Sequence, residues 1–381
     1  MKRHSLFRII VVVGTILLQG LAIAEDIPLP AVPDLQISPA DRSNVFTKAW
    51  ETINRNFYDP KFNGVNWPQM KDKYLPLAEA ATDKAQLLDV LQKMLGELHT
   101  SHTAISGDFQ YGTGLGYSQI EGRWLVSRVA PGSPAQLAGI EPGSILTGSE
   151  GDCIGPKRNV SVHLLDLRDV VRNAELPCAS YSSTPEPAAS VRTLEGGAVY
   201  LPFSSFTSGP GSWFAEQVVR NKSAQTMVLD LRGNWGGSFE IAQKIFDLFF
   251  SEKTDIGKFR DRKGKILSLK MGGKKSAYRG RIFVLTDRYT GSAAEVFASA
   301  VQESGRGVVV GQQSKGGVLA ATHYKLPNGF DLHVALMDYH TAKGVRLEGR
   351  GVIPDVVVDL TINDFRENKD EVLDRVRKML Q

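Results

Sequence analysis

Apolar residues in the first part of the chain recur three and four positions apart. The pattern runs from Pro39 to about His99 and is carried by Val45, Ala49, Ile53, Leu87, Leu91, Met94, Leu95 and Leu98. Such spacing places the apolar side chains on one face of a helix. Breaks fall near Pro60 and Gly64, because neither proline nor glycine continues a helix easily. We therefore expect a helical region here.

The pattern changes to short alternating runs between about residues 112 and 151. The run WLVSRV at 124–129 is an example, and Pro-Gly pairs between such runs mark turns. A small β-rich domain is predicted. Residues 151–190 fit this pattern poorly and are expected to be an insertion, whose last part, SSTPEPAAS at 182–190, has the composition of a linker.

Strands and helices alternate after residue 196, which is typical of an α/β core. The predicted order is strand Thr226–Leu231, helix about Ser238–Phe250, strand Arg281–Thr286, helix from Ser292 to about Ser304, and strand Gly307–Gly311. The last segment, about Phe365–Gln381, combines charged residues with Val and Leu at helical spacing. It predicts a terminal surface helix.

The first 24 residues differ from the rest of the chain. Lys2, Arg3 and Arg8 precede an apolar run from Ile9 to Ile23, and Ala22-Ile23-Ala24 has the small residues of a cleavage site. This composition predicts a signal peptide, and therefore export to the periplasm or the extracellular space. A retained membrane anchor is the weaker interpretation, because the run has only about 15 residues and polar residues interrupt it.

Composition and charge exclude some classes of partner. With 42% hydrophobic and 23% charged residues, the chain is typical of a soluble globular protein. Three of its formal +4 charges lie in the first 24 residues. The remainder carries about +1, which predicts no nucleic-acid partner. Peripheral contact with a membrane stays open, and no oligomeric state is predicted.

Cys153 and Cys178 are the only cysteines. In an exported protein they could close a loop of about 25 residues, which would stabilise the fold by roughly 3 kcal/mol. Spacing alone also allows two free thiols, so both states stay open. His99 and His102 are three positions apart, but without HExxH, CxxC or a third ligand they predict no metal site. We expect no cofactor.

Two turns carry candidate chemistry. Ser292, in YTGSAAE, opens a predicted helix, where free N–H groups and the helix dipole favour a developing oxyanion. It could also be only an N-cap, because Glu295 completes an S-x-x-E capping box. In DLRGNWGG, Gly236 and Gly237 would let backbone amides approach a reacting carbonyl. That turn lacks the GK[S/T] ending of a phosphate-binding loop, which argues against nucleotides.

Several segments together resemble one family. The segments DLRGNWGG, RYTGSAAEVFASAVQESGRGVVVG and LEGRGVIPD resemble the three core blocks of the tail-specific, or carboxyl-terminal processing, serine proteases. NFYDPKFNGVNW and MLGELHTSHT are similar to the helical region of that family, and GLGYSQIEGRWLVSRVAPGSPAQLAGIEPGSIL is similar to its PDZ domain. The likeness covers nearly the whole chain after the first 24 residues.

The resemblance implies an α/β fold with a crotonase-like (ClpP/crotonase) core, a helical N-terminal region and an embedded PDZ-like β domain. The implied divisions are a signal peptide at 1–24, the helical region at 25–104, the PDZ-like domain with its insertion at 105–190, the protease core at 191–362 and a C-terminal helix at 363–381.

The resemblance also implies roles for single residues. Ser292 would be the nucleophile, and the amides of Gly237, or the neighbouring Gly236, and of Ala293 would form the oxyanion hole. Many members place a catalytic lysine where this chain has Gly317. Lys315, two residues earlier, is therefore one candidate base.

The tricorn-like branch of the family offers another base. It uses a histidine in a Ser-His pair and a glutamate near the final GxxPD block, and this chain has Ser101-His102 and Glu348 at those places. An imidazole suits proton transfer, because its pKa lies near neutrality. Glu348 would either orient partners in the polar network of the site or, as in tricorn-like enzymes, act through a serine such as Ser101 to fix the imidazole tautomer. This match favours His102 over Lys315.

The likeness to a PDZ domain predicts a peptide-binding loop. Gly114, Leu115, Gly116 and Tyr117 would hold a terminal carboxylate, and the following strand would pair with an extended tail. We expect a serine peptidase that cleaves extended or C-terminal segments of exported proteins through an acyl-enzyme on Ser292. The alternatives are a catalytically inactive peptide-binding adaptor, and an esterase or acyl transferase with the same nucleophile.

Overall fold

The first strand after the helical region is the link between that region and the rest of the fold. In the computed structural model, which describes residues 35–107, 111–151, 153, 158–179 and 190–381, the first elements are α1 (Pro39–Asn56), α2 (Trp67–Ala80), α3 (Lys84–Gly96) and β1 (Ala104–Ser106). The predicted helical region is confirmed. The predicted signal peptide and most of the predicted linker lie outside the described residues.

A five-stranded antiparallel sheet follows. Its elements are β2 (Leu115–Ile120), β3 (Arg123–Val129), α4 (Pro134–Leu137), β4 (Ile145–Glu150), β5 (Asn159–Leu165) and β6 (Val171–Pro177), with the strands adjacent in chain order. Of the expected insertion, the described strands β5 and β6 belong to this sheet. Val162 and Leu164 on β5, within the expected insertion, are buried in the sheet's apolar cluster. Cys153 and Cys178 form a disulfide beside this sheet.

The remaining strands, together with β1, form two further sheets. The remaining strands and helices are β7 (Arg192–Thr193), β8 (Val199–Pro202), α5 (Ser208–Arg220), β9 (Thr226–Asp230), α6 (Phe239–Phe249), β10 (Lys253–Asp261), β11 (Ile266–Gly272), β12 (Arg281–Thr286), α7 (Ala293–Glu303), β13 (Val308–Gly311), β14 (Ala320–Lys325), β15 (Asp331–His340), β16 (Val356–Val357), α8 (Ile362–Arg366) and α9 (Glu371–Leu380).

The central sheet has six strands in the order β16-β13-β12-β9-β8-β7. All neighbours are parallel except β7, which is antiparallel to β8. One apolar cluster joins α6 and α7 to β9 and β12, and another buries α9 through Val372, Leu373 and Val376. Helices thus cover both faces of a mostly parallel sheet, as expected for strands with continuous apolar runs. The predicted α/β core is confirmed at this level.

The third sheet, called the second sheet of the core below, has the order β1-β15-β10-β11, with β14 also paired to β15. The apolar faces of α1, α2 and α3 pack against it, burying Phe330, Leu332 and Val334. Because β1 pairs with β15 directly after α3, the turn between α3 and β1 is held against the core. Among the described residues, no helix has the length and apolar character needed to span a membrane.

Candidate active site

Ser292 lies in the turn between β12 and α7 and has φ 55° and ψ −123°. Left-handed φ values are strained for residues with a Cβ and persist only where the surroundings enforce them. Two backbone bonds do so here: the Ser292 N–H donates to Gly317 O at 2.8 Å, and the Gly291 N–H donates to Asn234 O at 2.8 Å. The turn presents the Ser292 hydroxyl at the N-terminus of α7.

The hydroxyl of Ser292 meets the imidazole of His102, 190 residues away in the chain. Oγ of Ser292 lies 3.3 Å from Nε2 of His102, and Nδ1 of His102 lies 2.8 Å from Oγ of Ser101. Ser101 Oγ donates in turn to Glu348 Oε2 at 2.8 Å. Since that hydroxyl proton is used, Ser101 must accept from Nδ1–H. This leaves Nε2 free to accept the proton of Ser292.

Glu348 is fixed by further donors, two on the turn of residues 99–102 and one on the loop before β14. Its Oε1 accepts from the Ser101 N–H at 2.8 Å and from Thr100 Oγ1 at 3.3 Å, and its Oε2 accepts from the Val318 N–H at 3.1 Å. The turn of residues 99–102 is itself strained, with φ 44° at His99 and 54° at His102. The glutamate therefore holds in place the turn that carries the imidazole.

The environment of His102 favours the neutral ring. Burial lowers the pKa of His102 from its usual 6.5 to about 4, and the positive charge of Lys315 acts in the same direction. Desolvation disfavours the charged imidazolium, and so does a nearby cation. At neutral pH the ring is therefore unprotonated and can accept a proton.

Gly237 and Ala293 line the same cavity as Ser292. Among the described residues, the N–H groups of Gly237 and Ala293 have no hydrogen-bond acceptor. The Gly236 N–H, by contrast, donates to Asn234 Oδ1 at 2.8 Å. The prediction of Gly236 as an oxyanion-hole donor is therefore wrong, because its N–H is already used. Its role is steric, because a Cβ at this position would lie 2.6 Å from the Ser292 Cβ and 2.7 Å from the Ala293 N.

Glu295 was predicted only as a helix cap, but its carboxylate is fully buried. It accepts from the Ser292 N–H at 3.0 Å, as the glutamate of a capping box does, and from Gly317 N–H at 2.9 Å. Its other oxygen accepts from Ser314 Oγ at 2.5 Å and Gly316 N–H at 2.7 Å. One side chain thus ties the turn of the nucleophile to the loop of residues 314–317. Burial raises the pKa of Glu295.

Gly317 and Lys315 occupy different surroundings. A Cβ at Gly317 would lie 3.3 Å from the Ser101 Cβ and 3.6 Å from the His102 Cε1, so the pair of residues 101 and 102 fills the space beside this position. Lys315 Nζ lies over the Trp235 ring, 4.2 Å from its centroid. Among the described residues no hydrogen bond joins Lys315 to Ser292.

A cavity of about 720 Å³ opens beside Ser292 and His102. Most of its wall is apolar, and β10, β11 and α7 contribute Phe259, Leu267, Leu269, Met271 and Val296. His323 and His333, stacked at 4.4 Å, form part of another wall. The volume exceeds that of one side chain, so the cavity can take several atoms of an extended ligand on one side of the hydroxyl.

The predicted peptide-binding residues lie at the edge of the five-stranded sheet. Gly114 precedes β2, and Leu115, Gly116 and Tyr117 begin it. Among the described strands, β2 is paired with β3 alone and lies at the edge of the sheet. The hydroxyl of Tyr289 donates to the carbonyl of Tyr117, and its ring stacks on Trp235 at 6.3 Å. This edge is therefore in contact with the turn that precedes Ser292.

Comparison with known proteins gives the class of protein. Residues 197–358 match the model of peptidase family S41, and residues 38–96 match that of the tricorn protease C1 domain. The chain is a serine-type peptidase. Its residues 197–358 match peptidase family S41, and its relatives include proteins named carboxyl-terminal processing proteases. The family resemblance seen in the sequence is thereby confirmed.

Two relatives illustrate the match. A tricorn protease homolog of Streptomyces coelicolor is 26% identical over 396 residues, which cover 90% of this chain but only 32% of that protein. The chloroplastic C-terminal processing peptidase of Tetradesmus obliquus is 26% identical over 364 residues, covering 83% of this chain and 77% of the relative. The chain thus spans about a third of the tricorn homolog and about three quarters of the chloroplast enzyme.

Two solved structures share the fold. The photosystem II D1 C-terminal processing protease is 24% identical with a TM-score of 0.57, covering 89% of this chain and 97% of that one. Mature CPAF is 13% identical with a TM-score of 0.69, covering 90% and 97%. At these identities the likeness establishes the mixed α/β architecture with its helical N-terminal region.

Proposed function

We propose that this peptidase cleaves extended or C-terminal segments of exported proteins through an acyl-enzyme on Ser292. The observation that carries the proposal is the continuous set of contacts from Glu348 through Ser101 and His102 to Ser292. A serine hydroxyl needs a base to become nucleophilic at neutral pH. The neutral imidazole in contact with it supplies one.

The chemistry follows from the positions of the donors and acceptors. Ser292 Oγ attacks the peptide carbonyl carbon while its proton passes to His102 Nε2. The negative charge that develops on the carbonyl oxygen is stabilised by the Gly237 and Ala293 N–H groups. The intermediate collapses, the C–N bond breaks, and the imidazolium gives its proton to the leaving amine. Water then repeats the sequence on the acyl-enzyme and releases Ser292.

Glu348 and Ser101 act as positioning residues in this scheme. They hold Nδ1 protonated and stabilise the imidazolium that forms during attack, because the negative charge of Glu348 reaches the ring through one hydroxyl. Buried Glu295 keeps the nucleophile and the loop of residues 314–317 in register. Each of these contributions rests on hydrogen bonds of 2.5–3.0 Å.

The finer divisions of the fold are part of the proposal. The central parallel sheet with flanking helices supports a crotonase-like core, and the five-stranded sheet supports a PDZ-like domain. In that domain Gly114 to Tyr117 would hold a peptide tail along β2, because an edge strand can pair with an extended backbone. The divisions at residues 24, 104, 190 and 362 stay as predicted from the sequence.

Two features support an exported protein. The composition of the first 24 residues is that of a signal peptide. The disulfide between Cys153 and Cys178 would persist in an oxidising compartment. We therefore propose a periplasmic or extracellular location and protein or peptide substrates with extended tails.

The test replaces the nucleophile and both candidate bases. Wild type, Ser292→Ala, His102→Ala and Lys315→Ala are compared for hydrolysis of unfolded casein and for labelling by a fluorophosphonate. Ser292→Ala abolishes labelling and lowers kcat by about 10³-fold or more, and His102→Ala lowers kcat by a similar factor. Ser223→Ala and His163→Ala, both outside the site, serve as matched controls.

Two results would contradict the scheme. Full activity of His102→Ala together with an inactive Lys315→Ala would make the lysine the base. Unchanged fluorophosphonate labelling of Ser292→Ala would place the nucleophile elsewhere. A p-nitrophenyl ester assayed beside casein distinguishes the peptidase from an esterase, since an esterase turns over only the ester.

A further inference from the structure

Lys315 is a cation at the rim of the active site that the hydrolytic scheme does not use. It lies in the loop between β13 and β14 and is exposed. Its backbone N–H donates to Thr290 O at 2.9 Å, and its Cδ lies 3.6 Å from the place a Cβ would take at Gly291. The side chain therefore runs along the turn that leads into Ser292.

The ammonium is held by an aromatic ring that is itself open to solvent. Lys315 Nζ lies 4.2 Å from the centroid of Trp235, whose exposed fraction is 62%. A cation over an indole face gains electrostatic energy without losing its charge. Trp235 directly precedes Gly236 and Gly237, so the cation lies between the turn of the nucleophile and the turn of the oxyanion hole.

Lys315 forms no ion pair with any carboxylate among the described residues. The two acidic side chains of the site, Glu295 and Glu348, each accept four hydrogen bonds from other groups. Their oxygens are thus occupied. The ammonium keeps its capacity to donate to an anion that arrives with the substrate.

The charge of Lys315 is close enough to act on the catalytic ring. It contributes, after burial, to the lowered pKa of His102. A carboxylate bound at Lys315 would cancel part of that field and make the imidazole a stronger base. Binding of an anion at this point would therefore also favour the chemical step.

The cavity beside Ser292 serves a different part of the substrate. Its walls are largely apolar, and Lys315 does not line it. A peptide that places an apolar side chain in this cavity still has a neighbouring segment at the rim, where Lys315 and Trp235 lie.

We propose that Lys315 binds a carboxylate of the peptide close to the scissile bond and so makes the enzyme selective for acidic segments or for a free C-terminus. The proposal rests on the proposed hydrolysis at Ser292 and deepens it. A charge at the rim of a site chiefly sets selectivity. The carboxylate could come from an Asp or Glu side chain or from the end of the chain, and the chemistry of recognition is the same.

The test measures selectivity as a ratio of kcat/KM values. In the first arm, one cleaved peptide carries either Glu or Gln at each position that flanks the scissile bond, one position at a time, and the Glu and Gln versions are compared. In the second arm, a short peptide with a free C-terminus is compared with its C-terminal amide. The enzymes are the full chain as wild type, Lys315→Met, Lys315→Glu and the control Lys222→Met, an exposed lysine after α5.

Wild type and Lys222→Met prefer the carboxylate peptide by about two- to fivefold, the range for an exposed ion pair. Lys315→Met brings the ratio close to one, and Lys315→Glu favours a peptide with Lys at the same position. The arm that responds, side chain or free terminus, identifies the source of the carboxylate.

A ratio that Lys315→Met leaves at its wild-type value overturns the proposal. So does an equal loss of kcat/KM on charged and neutral peptides, which would make Lys315 part of the general machinery. A failure of the proposed hydrolysis itself is seen separately, as cleavage of the neutral peptide that survives Ser292→Ala.

Discussion

The ring of His102 determines the pH range in which Ser292 can react. It must be neutral to accept the serine proton, and both burial and Lys315 lower its pKa, to about 4. Protonation as the pH falls through this value removes the base. An ordinary histidine would lose its function near pH 6.5. The site should therefore remain active in mildly acidic surroundings.

We expect the acid limb of kcat/KM to lie near pH 4 rather than near 6.5. Removing the cation in Lys315→Met should move that limb to higher pH, because the imidazolium then meets less repulsion. The measurement is a pH–rate profile on a neutral peptide, with circular dichroism at each pH to verify folding. An acid limb at 6.5 in both proteins would show that His102 is not held in its neutral form.

At the scale of elements, the start of α7 depends on a charge buried without a cation. Glu295 meets only hydroxyl and N–H donors, and each donor belongs to a segment that forms the site. This arrangement exchanges the hydration of a carboxylate for four fixed hydrogen bonds. Losing even one acceptor leaves a buried donor unsatisfied, which is costly.

Glu295→Gln should lower both stability and turnover. The amide nitrogen of glutamine would face N–H donors, which costs about 1–3 kcal/mol of unfolding free energy, and the Ser292 turn would lose its register. Urea denaturation gives the first effect, and kcat on casein gives the second. Glu303→Gln, at the other end of α7, is the control. Equal stability of the two variants would contradict the role assigned to Glu295.

The elements that the sequence predicts well are those with a local signal. β12 is predicted at its observed bounds, and α6 and α7 to within one residue at each end, because apolar periodicity and Gly-rich turns mark them. The second sheet of the core, which contains β10, β11, β14 and β15, was not predicted from the sequence. Its β10 and β11 alternate charged and apolar residues over half-exposed faces, and their pairing with β15 depends on contacts distant in the chain.

The candidate site divides in the same way. Ser292, His102, Ser101 and Glu348 were found through the resemblance to a family, since no local pattern links residues so far apart. Glu295 was visible only as a cap, because its partners Ser314 and Gly317 lie on another loop. Burial of a carboxylate is a property of the assembled fold. A sequence motif cannot report it.

At the scale of the whole molecule, the disulfide closes a loop in the five-stranded sheet. The bond joins residues 25 positions apart, and such a cross-link restricts the unfolded chain. The apolar clusters of this sheet are small, and one of them is shared with α8. The stability of the sheet should therefore depend on the state of the two sulfurs.

Replacing Cys153 and Cys178 together by serine should cost about 3 kcal/mol of unfolding free energy. Denaturant titration with and without dithiothreitol measures it. The reduced wild type should resemble the double variant, which itself should not respond to the reductant. No difference between oxidised and reduced wild type would show that the cross-link does not stabilise the fold.

The residues of the proposed catalytic site are widely separated in the sequence. A ribosome makes Ser101 and His102 first, Ser292 nearly 200 residues later and Glu348 close to the end. The first two reach the others only when β1 joins β15. In a growing or unfolded polypeptide the catalytic groups are therefore far apart, and proteolytic activity arises only when the native fold is complete.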